Sequence, residues 1–471
     1  MNIIKTSFLY RIFAAIGIFF GNQWRQSLIL SRFTNARYTR GGGIAAAAWA
    51  RIWSIIRAIF RKLKLDKIIS GSIFTYPAFW CGLTIAATPL VPTLVTIGLA
   101  VVSFFSLFVT YASDASIAPA KSRVNRFIFL FAFIYFASIF PIETVDSSTF
   151  GAVLHVVFAL FAVLVGASVR REAQLYWIIR AFAVSGALVS AYGVYQYLFG
   201  TSVTAAWVDA KMFGEVSVRV YSTLENPNVL AEYLLLVIPF TGALIINEKK
   251  LLSRLFFIGC LGVQLLTMVL TLSRGGWVGL ILAVAIFLVM LDRRFIILGI
   301  FGLIGLYFVL PDTIMNRLLS IGNLADSSSS YRLSIWLGTI AMLKTHWFSG
   351  IGPGTTAFNR VYPVYSYGAA AAQHSHNLFL QLICDAGIAG IVLFVLMLFS
   401  FWRTMATSVK HAADRRLRII SIASIAAIAG FIAQGMTDYS FYNYRVTLMF
   451  WAVIGLGIAA SRLALAEGAQ K

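Results

Sequence analysis

Apolar segments close to the 17–25 residues that cross the hydrocarbon core of a bilayer recur from Ile73 to Ala460, with no soluble module between them. Backbone in lipid must satisfy its own hydrogen bonds within each segment, so the expected fold class is an all-α integral membrane protein built as one membrane domain. Composition agrees: 60% of residues are hydrophobic and only 12% charged, too little charge to cover a water-soluble globule of 471 residues. The formal net charge of +21 would suit nucleic acid. The basic residues, however, sit in short clusters between apolar spans, where they report topology. Membrane lipids are expected as partners and nucleic acid is not.

The stretch Ile73 to Tyr111 is too long for one helix, and Pro89 and Pro92 mark a turn between two short ones. Further candidate spans lie at 127–141, 149–169, 175–199, 228–247, 255–272, 276–291, 295–310, 377–401, 419–435 and 445–460, about twelve in all. Residues 1–67 hold twelve Lys/Arg against Asp66, which places the N-terminus in the cytoplasm. Threading from there puts Arg170/Arg171, Lys249/Lys250/Arg254, Arg293/Arg294, Arg403 to Arg418 and the C-terminus on that same side. The expected organisation is a basic cytoplasmic or interfacial segment over 1–70, nine spans over 71–310, a long extracytoplasmic loop over 311–376, and three spans with a short tail over 377–471. Within the first segment, Phe8 to Phe20 and Ile44 to Phe60 are punctuated by arginines, as in helices lying along an anionic lipid surface. No cleavable signal is evident, so the chain is expected to stay whole in the membrane. Cys81, Cys260 and Cys384 form no CxxC pair and suggest neither a disulfide framework nor a metal site.

The threading leaves eight outward cations against the positive-inside bias: Lys211, Arg219, Arg274, Arg317, Arg332, Lys344, Arg360 and Arg445. Arg219 precedes Glu225-Asn226-Pro227-Asn228, which reads as a turn with a helix cap at Asn228, and taken alone Arg219 reads as a solvated loop charge before a ligand for an anion. Arg274 lies in Leu272-Ser273-Arg274-Gly275-Gly276, a tight turn between two apolar spans, either as a snorkelling anchor or as a ligand for an anionic headgroup. In the long loop, Ser327 to Ser330 reads as flexible, Tyr331 to Leu343 as a helix on the outer face, and Ser349 to Gly354 as a Gly-rich connector. His374 and His376 stand at the start of the next span. Neutral imidazole can take a proton from a hydroxyl, so His376 is either a general base or an interface or capping residue. At 100° per residue, Gly387 and Gly390 fall on its stripe and Asp385 on the opposite side. With no paired carboxylates, DxD-like pair or HExxH in the outward loops, no metal and no cofactor are expected.

His376-Asn377, nine residues, then Gly387-Ile388-Ala389-Gly390 resembles the pattern of the O-antigen ligase and polymerase superfamily, which also holds bacterial protein O-oligosaccharyltransferases. The likeness runs over about residues 200–400, through Arg219, Asn226-Pro227-Asn228, Ser273 to Gly276, Arg332, Trp336 and Gly350 to Gly352. It implies a metal-independent, inverting glycosyltransferase of the GT-C type in a bacterial cytoplasmic membrane, with its active site outside. The donor would be a glycan on undecaprenyl diphosphate, and the acceptor a saccharide, a lipid A core or, failing those, a protein. By that likeness Arg219 and Arg274 grip the diphosphate and His376 deprotonates the acceptor hydroxyl, with Arg332, His374, Asn377 and Asn228 as secondary site residues. A lipid-glycan transporter or flippase is the alternative from another class; it would predict an inverted repeat and midplane polar residues, neither of which is visible.

Overall fold

The computed structural model describes residues 44–65, 71–114, 122–140, 145–200, 219–297, 299, 315 and 327–468. The Phe8 to Phe20 stretch, most of the 295–310 segment, Lys211 and Arg317 lie outside these. Two compact units divide at Ile68/Ile69. In the first, helix α1 (Ile44–Lys62) exposes Ile52, Ile55 and Ile59 alongside Arg51, Arg61 and Lys62. The three isoleucines recur at helical spacing, so α1 has an apolar stripe and a basic remainder.

In the second unit every regular element among the described residues is helical. These are α2 (Pro77–Ala87), α3 (Thr93–Ser113), α4 (Arg123–Ala137), α5 (Val145–Ser168), α6 (Glu172–Phe199), α7 (Pro227–Asn247), α8 (Leu251–Leu270), α9 (Arg274–Leu291), α10 (Ser327–His346), α11 (Thr355–Val361), α12 (Leu378–His411), α13 (Arg415–Gly435) and α14 (Tyr444–Gly468). Nine of them, α3, α5 to α9 and α12 to α14, are long and apolar enough to cross a membrane, so the chain is a multi-span membrane protein. The short α2 and α4 occupy expected span positions but have only 11 and 15 residues. Helices α7 and α14 form the centre, with 83% of their apolar windows buried, whereas α8 and α9 at 28% lie at the rim. Lipid gives no hydrophobic drive for helices to associate, so small residues must let backbones approach. Gly279 of α9 and Gly430 of α13 do this reciprocally: a Cβ on either would come within 2.7 Å of the other's carbonyl oxygen.

The polar loop forms its own small core rather than an open connector. Ile335, Met342 and Leu343 of α10 bury against Ile351, Phe358 and Tyr362, with Cys384 of α12 closing the cluster. Helix α10 starts at Ser327, so the serine run expected to be flexible is helical. Serine suits a first helical turn, where its short side chain competes least with the helix. The Gly-rich connector packs on α12, where Ile351 N–H donates to Cys384 C=O at 2.6 Å.

At that contact α12 is broken: Ala386 and Gly387 leave helical geometry, Gly387 with φ +63°. The stripe drawn from His376 through Gly387 and Gly390 therefore does not exist, and Asp385 does not face away from the loop. His376 precedes the helix and the helix is interrupted before Gly390, so a 100° count cannot span the segment. A Cβ on Gly387 would lie 1.9 Å from Phe348 O, a backbone atom that cannot swing aside. Gly387→Ala is expected to destabilise the protein by on the order of 4 kcal/mol or more. Gly98→Ala, in open space on α3, should be neutral or slightly stabilising. Melting temperatures of the two purified variants check this, and equal values would refute the packing described.

Candidate functional site

Three helices, α7, α9 and α10, begin and α13 ends around a single polar cavity. It is lined by Arg219, Asn228, Ser273, Arg274, Gly275, Ser328, Arg332, Gln434, Thr437 and Asp438, with Leu272 as its apolar member. Asn228 is in the first turn of α7, Arg274 opens α9, Ser328 is in the first turn of α10, and Asp438 follows α13. Each helix N-terminus contributes a partial positive charge and unsatisfied N–H groups. Three such ends and three guanidiniums around one space make an anion receptor.

The local geometry follows from capping. Asn226, not Asn228, caps α7: its side chain accepts from Asn228 N–H at 2.8 Å, with Pro227 at the first helical position. Pro has no N–H to lose there, and the cap shift leaves the Asn228 carboxamide free to turn into the site. Its Oδ1 accepts from Arg219 Nη2 at 3.1 Å and its Nδ2 donates to Asp438 Oδ2 at 3.0 Å. Arg219 also donates from Nε to Thr271 C=O at 2.9 Å, and only 6% of it is exposed. That guanidinium is fixed before any ligand arrives. Ser273 caps α9 by accepting from Gly276 N–H, which sets Arg274 at the helix start.

His376 adopts φ +49°, the left-handed region that costs a side-chain-bearing residue roughly 1–2 kcal/mol. Several bonds hold it there. Trp336 Nε1 of α10 donates to its carbonyl at 3.3 Å, and its own N–H donates to His374 Nδ1 at 3.3 Å. Asn377 caps α12 by accepting from Phe379 and Leu380 N–H, and donates to Met436 C=O at 2.7 Å. Such strain, held by surrounding structure, collects at functional sites.

The imidazole meets Asp438: Nδ1 and Oδ1 are 3.2 Å apart. With Nδ1–H donating to the carboxylate, the proton-accepting nitrogen is Nε2, on the side away from Asp438. Asp438 further accepts from Tyr439 N–H at 2.9 Å, and Arg332 lies 3.8 Å from its other oxygen. Burial would push this carboxyl upward, but the His376 hydrogen bond and the charge of Arg332 outweigh it and hold Asp438 well below the usual carboxylate range. His374 is pulled down to about 3, first by burial and then by the charge of His376, so it is neutral and its Nδ1 is available to accept the His376 N–H.

The structure thus brings Arg219, Arg274, Arg332, Asn228, His374 and His376 together, and gives Asn377 the job of capping and tying α12 to the 436–443 link. Arg360 is exposed on α11. Arg445 binds Thr223 C=O at 2.9 Å and Glu225 at 3.2 Å, bracing the turn before α7 rather than lining the cavity. Sequence reasoning missed Asp438, a lone acid between two spans and 62 residues beyond His376. The available signal was its isolation: an acid beside Tyr439 and Tyr442 in a short link at the same helix ends.

His374, His376 and Asp438 bring their ligand atoms within 4.8 Å of one another, two imidazoles and a carboxylate of the kind zinc accepts. Yet His374 Nδ1 and both Asp438 oxygens already have donors, and three guanidiniums line the adjoining cavity. The field there favours an anion over a cation.

Fold and cavity together define a polytopic membrane protein with a cationic pocket beside a histidine–carboxylate pair. The family model described as O-Antigen ligase matches residues 259–395, which include Arg274, Arg332, His374 and His376. Over that stretch the chain is similar to O-antigen ligases. No curated protein matches the chain.

Proposed function

We propose that the protein transfers a glycan from undecaprenyl diphosphate to an acceptor hydroxyl, with inversion and without a metal ion. The observation that carries this is the adjacency of a cavity lined by Arg219, Arg274 and Arg332 to the His376–Asp438 pair. In the reaction, the acceptor oxygen attacks the anomeric carbon as His376 Nε2 takes its proton. The bond to the diphosphate breaks and the electron pair leaves with it. The negative charge that develops is met by guanidiniums and helix N-termini already in place, which is where preorganised electrostatics does most. Asp438 fixes the tautomer and offsets the charge of the imidazolium that forms. Arg219 and Arg274 bind the diphosphate, while Arg332 is shared between cavity and Asp438. Asn228 couples Arg219 to Asp438.

This reading takes the architecture as GT-C type with about twelve spans in a bacterial cytoplasmic membrane. Both termini are cytoplasmic and the cavity extracytoplasmic, supported by the one-sided basic clusters of the sequence. Helix α1 lies along the anionic lipid surface through its isoleucine stripe and basic residues. The acceptor is a saccharide or a lipid A core.

The test uses purified protein in detergent, a synthetic undecaprenyl-diphosphate glycan, and saccharide, lipid-core and peptide acceptors in parallel, with and without chelator. Transfer is expected to one of the two sugar acceptors and to be unchanged by chelation. Transfer lost in chelator and restored by a divalent ion would overturn the metal-free form and reassign His374, His376 and Asp438 as ligands. Transfer to peptide would overturn the acceptor class.

A further inference from the structure

Asp385 is fully buried one residue before the break in α12. Three side chains donate to it: Gln381 Nε2 at 2.8 Å on Oδ1, and Tyr135 OH at 2.7 Å and Tyr439 OH at 3.1 Å on Oδ2. Two of these donors lead to the reactive pair. Gln381, also fully buried, uses its Oε1 to accept the N–H of Ser375 at 2.8 Å, and Ser375 is bonded to His376. Tyr439 is bonded to Asp438. The carboxylate therefore reaches each partner of the pair through one side chain and one peptide link, and Tyr135 anchors it to α4.

Each arm has a fixed polarity. A carboxylate can only accept here, so the Gln381 amide must turn its NH2 toward Asp385 and its oxygen toward Ser375. Stability alone does not explain such an arrangement, because well-packed apolar residues often replace buried polar clusters at no cost. Fixing a geometry does. His376 sits in a strained φ and needs its peptide flanks held, and its bond to Asp438 joins loops before α12 and after α13.

We propose that Asp385 is a positioning residue for glycan transfer, setting the His376–Asp438 distance from both sides; this rests on the transfer reading above. Asp385→Asn offers one acceptor oxygen where the carboxylate offers two, so either the Gln381 bond is lost or both tyrosine hydroxyls must reverse from donor to acceptor.

The test measures single-turnover transfer and donor affinity in full-length wild type, Asp385→Asn, Gln381→Met, Tyr439→Phe and His376→Ala, with each of the first three variants also combined with His376→Ala. Asp385→Asn should slow transfer by about 10–100-fold and each arm variant by about 3–10-fold, with donor affinity unchanged. In the His376→Ala background the same changes should have no further effect, since residues acting as a unit are non-additive. Equal losses in both backgrounds, or donor affinity falling in step with rate, would reduce Asp385 to general structural support and overturn the proposal, as would wild-type rates in Asp385→Asn. If Asp385→Asn does not fold, the two arm variants carry the same comparison. Full activity in His376→Ala would instead overturn the transfer reading itself, whereas a dead His376→Ala with an unimpaired Asp385→Asn overturns only the positioning role.

Discussion

Replacing His376 with Ala should slow glycan transfer by roughly 10²–10⁴-fold, the contribution of a positioned general base, while leaving donor binding intact. The separation of effects follows from where the residue stands. The donor's diphosphate is assigned to the guanidinium-lined cavity, and His376 is not among the residues lining it. Its ring is 24% exposed on the side chain and its Nδ1 is committed to Asp438, so the imidazole has one nitrogen to offer, to the acceptor. The measurement is single-turnover transfer with saturating donor, beside equilibrium binding of the same donor. Loss of binding in proportion to rate would make His376 a donor ligand, and an unchanged rate would remove it from the chemistry. A His376→Gln variant sharpens the comparison. It keeps a hydrogen bond to Asp438 within reach yet has no basic nitrogen, so it should be as slow as Ala.

The bundle was legible because its cause is one-dimensional: a run of apolar residues of sufficient length must become a buried helix in lipid, whatever its neighbours. The site was legible in its cations for a related reason. Arg219, Arg274 and Arg332 stand out as outward guanidiniums against the topology bias, and a local anomaly is visible in one sequence. Asp438 was not, because its meaning comes from a partner 62 residues away, and nothing in Thr437-Asp438-Tyr439 specifies that partner. The misplaced cap had a smaller cause. Both Asn226 and Asn228 are good caps, and only the first-turn preference of Pro227 chooses between them. Asp385 was put on the wrong side by starting the helical count at His376, which precedes α12, and the stripe through Gly387 and Gly390 was drawn by carrying that count across the break. A glycine in an apolar run gives no sign of whether it stays helical or takes φ +63°. Here the Phe348–Ser349 backbone decides, by packing where a Cβ would be.

Arg274→Ala should have the opposite signature to His376→Ala: weaker donor binding together with a fall of about 10²–10³ in kcat/KM, the cost of removing one preorganised donor from a developing anion. Arg219 is braced by Thr271 and Asn228, so losing it would also loosen the link to Asp438 and mix two effects. Arg274 is the cleaner probe. It is the first residue of α9, and the Ser273 cap that sets this start uses its own side chain and the Gly276 N–H, so substitution at 274 leaves the cap in place. Arg274→Lys keeps the charge but replaces a planar fork by a point charge, so it should recover only part of the loss. Binding of undecaprenyl diphosphate lacking any glycan isolates the interaction, because that molecule has the leaving group and nothing to transfer. Its affinity should fall in Arg274→Ala and hold in His376→Ala. Should Arg274→Ala bind the bare carrier as well as wild type, the diphosphate does not occupy this cavity, and the guanidiniums must be assigned to an anionic part of the acceptor instead.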